Sequence, residues 1–293
     1  MTQRIKIWIT AFRLRTLPLA LASIILGSFL AAADGAFQWM IAGLSALTAV
    51  LLQILSNLAN DYGDSVHGAD HKDRVGPKRA TQTGAISVSA MRMALGVFVV
   101  LSLVAGYFLI HGESVIYYFL GIAAIVAAVA YTAGPKPYGY AGLGDLFVFI
   151  FFGIVGVLGT YYLHTHKLNL QILLPAVSCG FFSVAVLNIN NMRDVESDKL
   201  AGKITIPIRL GKSKANAYHW FLLGGGLVSA CVYVLVNYRS PWQFLFFISI
   251  PLLVYNGIAV SGKKSSGELD PYLKQMSLAT LLFCFTFGLS IIL

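Results

Sequence analysis

Nine stretches of this chain, each near 20 residues and almost free of charge, constrain its fold more than any other feature. They run roughly over 17–33, 38–60, 88–110, 115–133, 143–163, 171–190, 216–236, 242–260 and 274–293. A hydrocarbon core about 30 Å thick is crossed by about 20 apolar residues in a helix. Runs this continuous do not show the alternation of an outer-membrane strand, so the expected architecture is all-α, a polytopic membrane helical bundle of nine transmembrane helices. Composition closes the other classes. With 57% hydrophobic and 11% charged residues, the chain falls far below the ~25% charged content of a soluble domain. The net charge of +9 predicts no nucleic-acid partner, because the basic residues lie between apolar spans and not on one soluble face. Cys179, Cys231 and Cys284 stand singly, without metal or disulfide spacing, and read as small buried hydrophobes.

Of 21 Lys and Arg residues, all but Lys167 and Arg239 fall on the side that holds the N-terminus. The positive-inside rule makes that side cytoplasmic, and an odd number of spans places Leu293 outside. The first span, preceded by Arg4 and Lys6 and ending in Ala31-Ala32-Ala33, resembles a signal peptide in outline. Eight further spans argue that it is retained. Ahead of it, Ile5, Trp8, Ile9 and Phe12 recur at helical spacing among basic residues, so 1–16 is expected to form an interfacial N-terminal helix. Arg13 and Arg15 are read as snorkelling to headgroups, with pairing to a substrate carboxylate as the other use. The whole of 1–293 is read as one integral-membrane domain.

Two long connections, 61–87 and 191–215, both follow even-numbered spans and hold seven of the twelve acidic residues. Asn57, Asp61 and Asp64 are spaced i, i+4, i+7, and Asn190, Asp194 and Asp198 are spaced i, i+4, i+8, so each set shares one helical face. The matched form suggests two four-helix pseudo-repeats plus a ninth helix. Carboxylates stacked on one face repel each other. Oxygen ligands without His or Cys suit a hard cation, and Mg²⁺ is typically held by a few carboxylates together with substrate phosphates. Cations follow each cluster: Lys72, Arg74, Lys78 and Arg79 after the first, Lys199, Lys203, Arg209 and Lys212 after the second. Carboxylates, a divalent metal and cations together form a receptor for a diphosphate. Such a receptor supports ionisation of an allylic diphosphate, with the metal and cations neutralising the leaving group and the bundle keeping water from the carbocation. A site at one membrane face, with no acid in the middle of a span, speaks against a divalent-cation transporter.

Four stretches carry a family resemblance: Leu14-Arg-Thr-Leu-Pro18; Asn57 to Asp64 running on to Arg74-Val-Gly-Pro-Lys-Arg-Ala-Thr-Gln-Thr-Gly84; Tyr131-Thr-Ala-Gly-Pro-Lys-Pro137 with Gly142-Leu-Gly-Asp145; and Asn190-Asn-Met-Arg-Asp194-Val-Glu-Ser-Asp198 with Ala201-Gly-Lys203. On these the chain resembles the UbiA-type intramembrane prenyltransferases, and within them the branch that acts on 1,4-dihydroxy-2-naphthoate in menaquinone synthesis. One departure is Gly68 where the general pattern has a third Asp, with Asp70 and Asp73 beyond it, a spacing which the naphthoate branch tends to share.

The resemblance implies that Asp61, Asp64, Asp194 and Asp198 bind two Mg²⁺ bridging a polyprenyl diphosphate. It implies that Asn57, Arg74, Lys78, Arg79, Asn190 and Lys203 hold the diphosphate, and that an aromatic dihydroxy acid accepts the prenyl chain with loss of CO₂. Asp145 and Tyr131 are acceptor-side candidates, to orient a hydroxyl or take a proton; an N-cap role for Asp145 and an interfacial role for Tyr131 compete. Other acceptors, such as 4-hydroxybenzoate or homogentisate, remain open. The expected setting is a bacterial inner membrane, with membrane lipid around the bundle and the site facing the cytoplasm.

Overall fold

A computed structural model describes residues 3–67, 79–263 and 265–293, and among them the chain is helical with no strand. Helix α1 (Gln3–Phe12) ends where Arg13 takes a left-handed conformation, φ 51°. One tight turn, Leu14–Thr16, leads into α2 (Leu17–Ala33), with a proline in its first turn, where a missing N–H costs nothing. Then come α3 (Trp39–Val66), α4 (Val88–Ile110) and α5 (Val115–Ala130). The next rod is composite: α6 (Gly144–Val148), a wide π-helical stretch Phe149–Gly159, and α7 (Thr160–Thr165). The second half contains α8 (Leu173–Arg193), the short α9 (Val195–Leu200), α10 (Ile206–Val236), a 3₁₀ stretch Pro241–Ser249 continuing into α11 (Ile250–Gly262), and α12 (Asp270–Ile292).

Among the described residues eight helical stretches are long and apolar enough to cross a membrane, and the chain is a multi-pass membrane protein. The expected fourth span, 115–133, is a helix of only 16 residues, shorter than the ~20 a bilayer needs; the count of nine rests on it. The largest correction to the expected boundaries lies at the two acidic connections. Helix α3 continues past residue 60 to Val66, so Asp61 and Asp64 are helical and the connection is correspondingly shorter. The region expected to be loop over 191–215 is mostly helical as well: it holds α9 and the start of α10. The apolar pattern begins only near 216 because Arg209, Lys212 and Lys214 fall in the first turns of α10; Gly211, at φ 73° and ψ 167°, interrupts the helix in the same stretch.

Helix α8 is the central element, packed against α10, the π stretch and α12, while α12 closes the bundle against α2. Leu26, Leu30, Phe182, Phe246, Phe283 and Phe287 are almost wholly buried there. Close approach depends on missing side chains, as between membrane helices generally: a Cβ on Gly27 would lie 2.6 Å from the Val157 carbonyl. Outward positions of α4 and α5 such as Val100, Val104, Phe108, Phe119 and Ile122 are exposed, the apolar surface a bilayer would cover.

Candidate active site

The first acidic cluster is placed by one glycine. A Cβ on Gly63 would stand 2.3 Å from the Thr132 carbonyl, so only glycine lets the end of α3 lie against the segment that follows α5. Thr132 secures that contact by donating its hydroxyl to Ala59 O (3.0 Å) and Asn60 Oδ1 (2.9 Å). Asp61 and Asp64, one turn apart, are thereby buried at 2% and 1% exposure, where a bare carboxylate is costly. Their compensation comes from far along the chain. Arg13 pairs with Asp61, and Arg79 pairs with Asp64 while its Nε lies 3.7 Å from Asp61. Tyr140 donates its hydroxyl to Asp64 at 2.8 Å.

The second cluster sits where α8 ends. Asp194 lies between α8 and α9, and Asp198 is one turn on, its N–H donating to Asp194 O at 2.8 Å. Both are buried. Arg193 binds both Asp194 oxygens, at 2.9 and 2.7 Å. After α9 the chain reverses at Gly202, φ 73°, which returns Lys203 to the cluster. Its ammonium lies 3.1 Å from Asp64 and 3.1 Å from Asp198, linking the two clusters directly, and stands over the Tyr140 ring.

Between the clusters is a small polar cavity of about 40 Å³, lined by Asp64, Asp194, Asp198, Arg79, Lys203 and Asn191 among others. Against it lies a second cavity of about 370 Å³, walled mainly by apolar side chains from α2, α3, α4, α5, the α6–α7 rod and α8, including Phe147, Phe151, Phe152 and Leu187. Arg13, Asn60, Tyr131 and Asn190 line both.

The donor set suits a hard divalent cation: four carboxylates, no His or Cys, three of them around one cavity. Burial pushes the Asp198 carboxyl above the usual carboxylate range against the pull of Lys203, and the Asp194 and Asp64 charges add to the rise. Burial is the first cause of that rise, because an ionised carboxylate is costly where water is excluded. Among the described residues no three acidic, His or Cys side chains are already gathered to hold an ion; Arg and Lys side chains stand among them.

The remaining expected residues divide. Asn190 accepts from Arg193 (2.9 Å) at the junction of the cavities. Asn57 donates instead to Phe12 O (2.9 Å) and Thr16 Oγ1 (3.0 Å), securing the turn that carries Arg13. Asp145 lines neither cavity; it accepts the Tyr218 hydroxyl at 3.0 Å. Tyr131 is at the junction, and burial together with the Asp198 and Asp145 carboxylates pushes its hydroxyl well above the ordinary phenol range, so it stays protonated. Arg74, Lys78, Asp70 and Asp73 lie outside the described residues. The snorkelling expected of Arg13 and Arg15 is not what they do: both turn inward to carboxylates, Asp61 and Asp270. Tyr140 and Asp270 escaped the sequence reading, whereas Thr132 and Arg193 stood inside the stretches quoted above without being given a role.

The chain matches the UbiA prenyltransferase family over residues 20–291. It belongs to that family. Among curated relatives, the UbiA-family chain is 44% identical to a 1,4-dihydroxy-2-naphthoate octaprenyltransferase of Haemophilus influenzae, covering 99% of this chain and 97% of the relative. It is 43% identical to the Escherichia coli protein of the same name, covering 99% and 96%. Its fold resembles that of a UbiA homolog from Archaeoglobus fulgidus bound to GPP and Mg²⁺, with TM-score 0.64, 17% identity, and 96% and 99% coverage. As a UbiA-family prenyltransferase it is an enzyme, and its polar and apolar cavities are the features that membership makes sense of.

Proposed function

We propose that this enzyme transfers a polyprenyl chain from its diphosphate to 1,4-dihydroxy-2-naphthoate, releasing diphosphate and CO₂ and leaving a demethylmenaquinol. The observation that carries the reading is the shared boundary of the two cavities: a charge-lined chamber suited to diphosphate opens beside an apolar one suited to an isoprenoid tail. The names and full-length coverage of the relatives supply the acceptor.

In this reading Asp61, Asp64, Asp194 and Asp198 hold two Mg²⁺. The ions supply charge neutralisation that makes diphosphate a better leaving group. Arg79 and Lys203 hold phosphate oxygens, with Arg74 and Lys78 as further candidates. The allylic C–O bond breaks with its electron pair going to the diphosphate. Tyr131, Asn60 and Asn190 border the point where the charged head gives way to the tail, so the allylic carbon lies among them, and the apolar walls exclude water from the cation. The acceptor ring carbon supplies the electrons for the new C–C bond, and the ring carboxylate departs as CO₂. Loss of that carboxylate balances the positive charge of the allyl group. The net reaction therefore leaves no proton to dispose of, in keeping with a Tyr131 that stays protonated and an Asp145 that lines neither cavity. The site faces the cytoplasm of a bacterial inner membrane, with Leu293 outside.

The test incubates purified protein with Mg²⁺, a polyprenyl diphosphate and each acceptor in turn. CO₂ release with a prenylated naphthoquinol is expected. Prenylation of 4-hydroxybenzoate or homogentisate alone overturns the acceptor, and no transfer to any acceptor overturns the reading.

A further inference from the structure

Beyond the four carboxylates lies a fifth, Asp270, in the first turn of α12. It lines neither cavity and belongs to neither acidic cluster. Its two oxygens face two arginines: Oδ2 accepts from Arg15 Nη1 at 2.8 Å, and Oδ1 accepts from Arg193 Nη1 at 2.6 Å. Arg193 is 3% exposed, and each of its three guanidinium nitrogens has an acceptor. Nε and Nη2 bind Asp194, Nη2 also reaches Asn190, and Nη1 takes Asp270. A planar guanidinium cannot turn toward one of these acceptors without loosening another. Asp270 and Asp194 thus compete for a single buried cation.

We propose that Asp270 is a positioning residue: it acts through Arg193 to set how tightly Asp194 is held, and so how readily Asp194 is released to a divalent cation. This rests on the reading of Asp194 as a cation ligand. A carboxylate locked to an arginine on both oxygens is a poor metal ligand. A second acceptor that keeps part of the guanidinium when Asp194 lets go lowers the cost of that release, because it leaves no buried charge unpaired. Arg15 links the device to the N-terminal segment, whose neighbouring Arg13 serves Asp61 in the same way. The short Arg13–Arg15 stretch therefore reaches both acidic clusters, one directly and one through Asp270 and Arg193.

The experiment titrates Mg²⁺ alone onto the full-length protein in detergent and follows thermal stabilisation. In Asp270→Asn, Arg193 falls wholly to Asp194, and the half-saturating Mg²⁺ concentration rises about tenfold, the size of one charge-assisted hydrogen bond. Prenyl transfer recovers toward wild type when Mg²⁺ is raised to match. Two variants separate relay from bulk charge. Glu268→Gln makes the same charge change two residues away, where the side chain meets Ser265 and Lys263, and is expected to leave the midpoint unchanged. In an Arg193→Lys background, Asp270→Asn is expected to add nothing further. An unchanged midpoint in Asp270→Asn overturns the proposal, as does a Glu268→Gln shift of equal size or an undiminished effect in the Lys background. If Arg193→Lys does not fold, the Glu268→Gln comparison decides alone. A wild type that Mg²⁺ fails to stabilise overturns the metal reading itself, a result distinct from those three.

Discussion

The two acidic helix ends look alike in sequence and are neutralised in opposite ways. At the end of α3, Asp61 and Asp64 sit on an unbroken helix and draw their partners from remote segments: Arg13, Arg79, Tyr140 and Lys203. At the end of α8 the helix yields at Asp194, and the partners are near neighbours, Arg193 one residue before and Lys203 five after Asp198. The first cluster is therefore assembled only when the bundle is, whereas much of the second is assembled by local chain. The teaching is that one spacing of carboxylates can be built by tertiary or by local means, and that the chemistry requires only that they converge.

If both ends are equal in function despite this, single substitutions on either side have equal consequences. Asp61→Asn and Asp194→Asn are each expected to reduce prenyl transfer about 10²- to 10³-fold, the scale for losing one electrostatic element at a reacting centre. Circular dichroism and detergent-exclusion chromatography are expected to remain those of folded protein. Near-normal turnover in both would remove the metal reading, while loss in only one would show that the two ends are not equivalent.

Lys203 tests the link between the ends. It contacts Asp64 and Asp198 at 3.1 Å each, so Lys203→Met separates the clusters electrostatically and removes a phosphate ligand. The expected loss in kcat/KM is about 10- to 100-fold, corresponding to about 1.5–3 kcal/mol for a hydrogen bond to a charged group, and it appears mainly in KM for the diphosphate donor. A change in kcat with KM untouched would place Lys203 outside the donor site.

The all-helical membrane architecture and the two acidic helix ends were legible because hydropathy and i, i+4 spacing are local properties. The partners were legible in proportion to their distance along the chain. Lys203 follows its motif closely enough to be picked out, whereas Tyr140 and Arg13 reach Asp64 and Asp61 across 76 and 48 residues. Asp270 could not be found at all, since a lone acid at the start of the last span has no pattern around it. Asn57 was placed on the acidic face by its spacing, but its amide contacts with Phe12 and Thr16 were not readable there. The continuation of α3 through Asp61 and Asp64 was implied by their spacing on one helical face, but its end at Val66 was not, because charged residues end a hydropathy window without ending a helix.

The smallest expected effect is on stability without metal, and it is the one that most sharply divides the two ends. Asp198 sits in the shorter-range cluster with its carboxyl raised by burial and by Asp194 and Asp64, despite Lys203. Below pH about 4 the carboxyl is protonated in both folded and unfolded chains, and Asp198→Asn and wild type have equal stability on this account. As pH rises past that point the unfolded chain ionises while the folded one still holds its proton, so the wild type loses stability until its folded carboxyl ionises too. The Asn variant has no such loss. Measured in EDTA by thermal unfolding, its advantage is therefore expected to appear above pH about 4 and grow to a plateau. Asp61→Asn, by contrast, strips Arg13 and Arg79 of a buried partner and is expected to lower stability over the same range. Equal signs in the two variants would mean that both clusters are stabilising ion-pair networks, and that the burial of Asp198 does not distinguish the α8 end from α3.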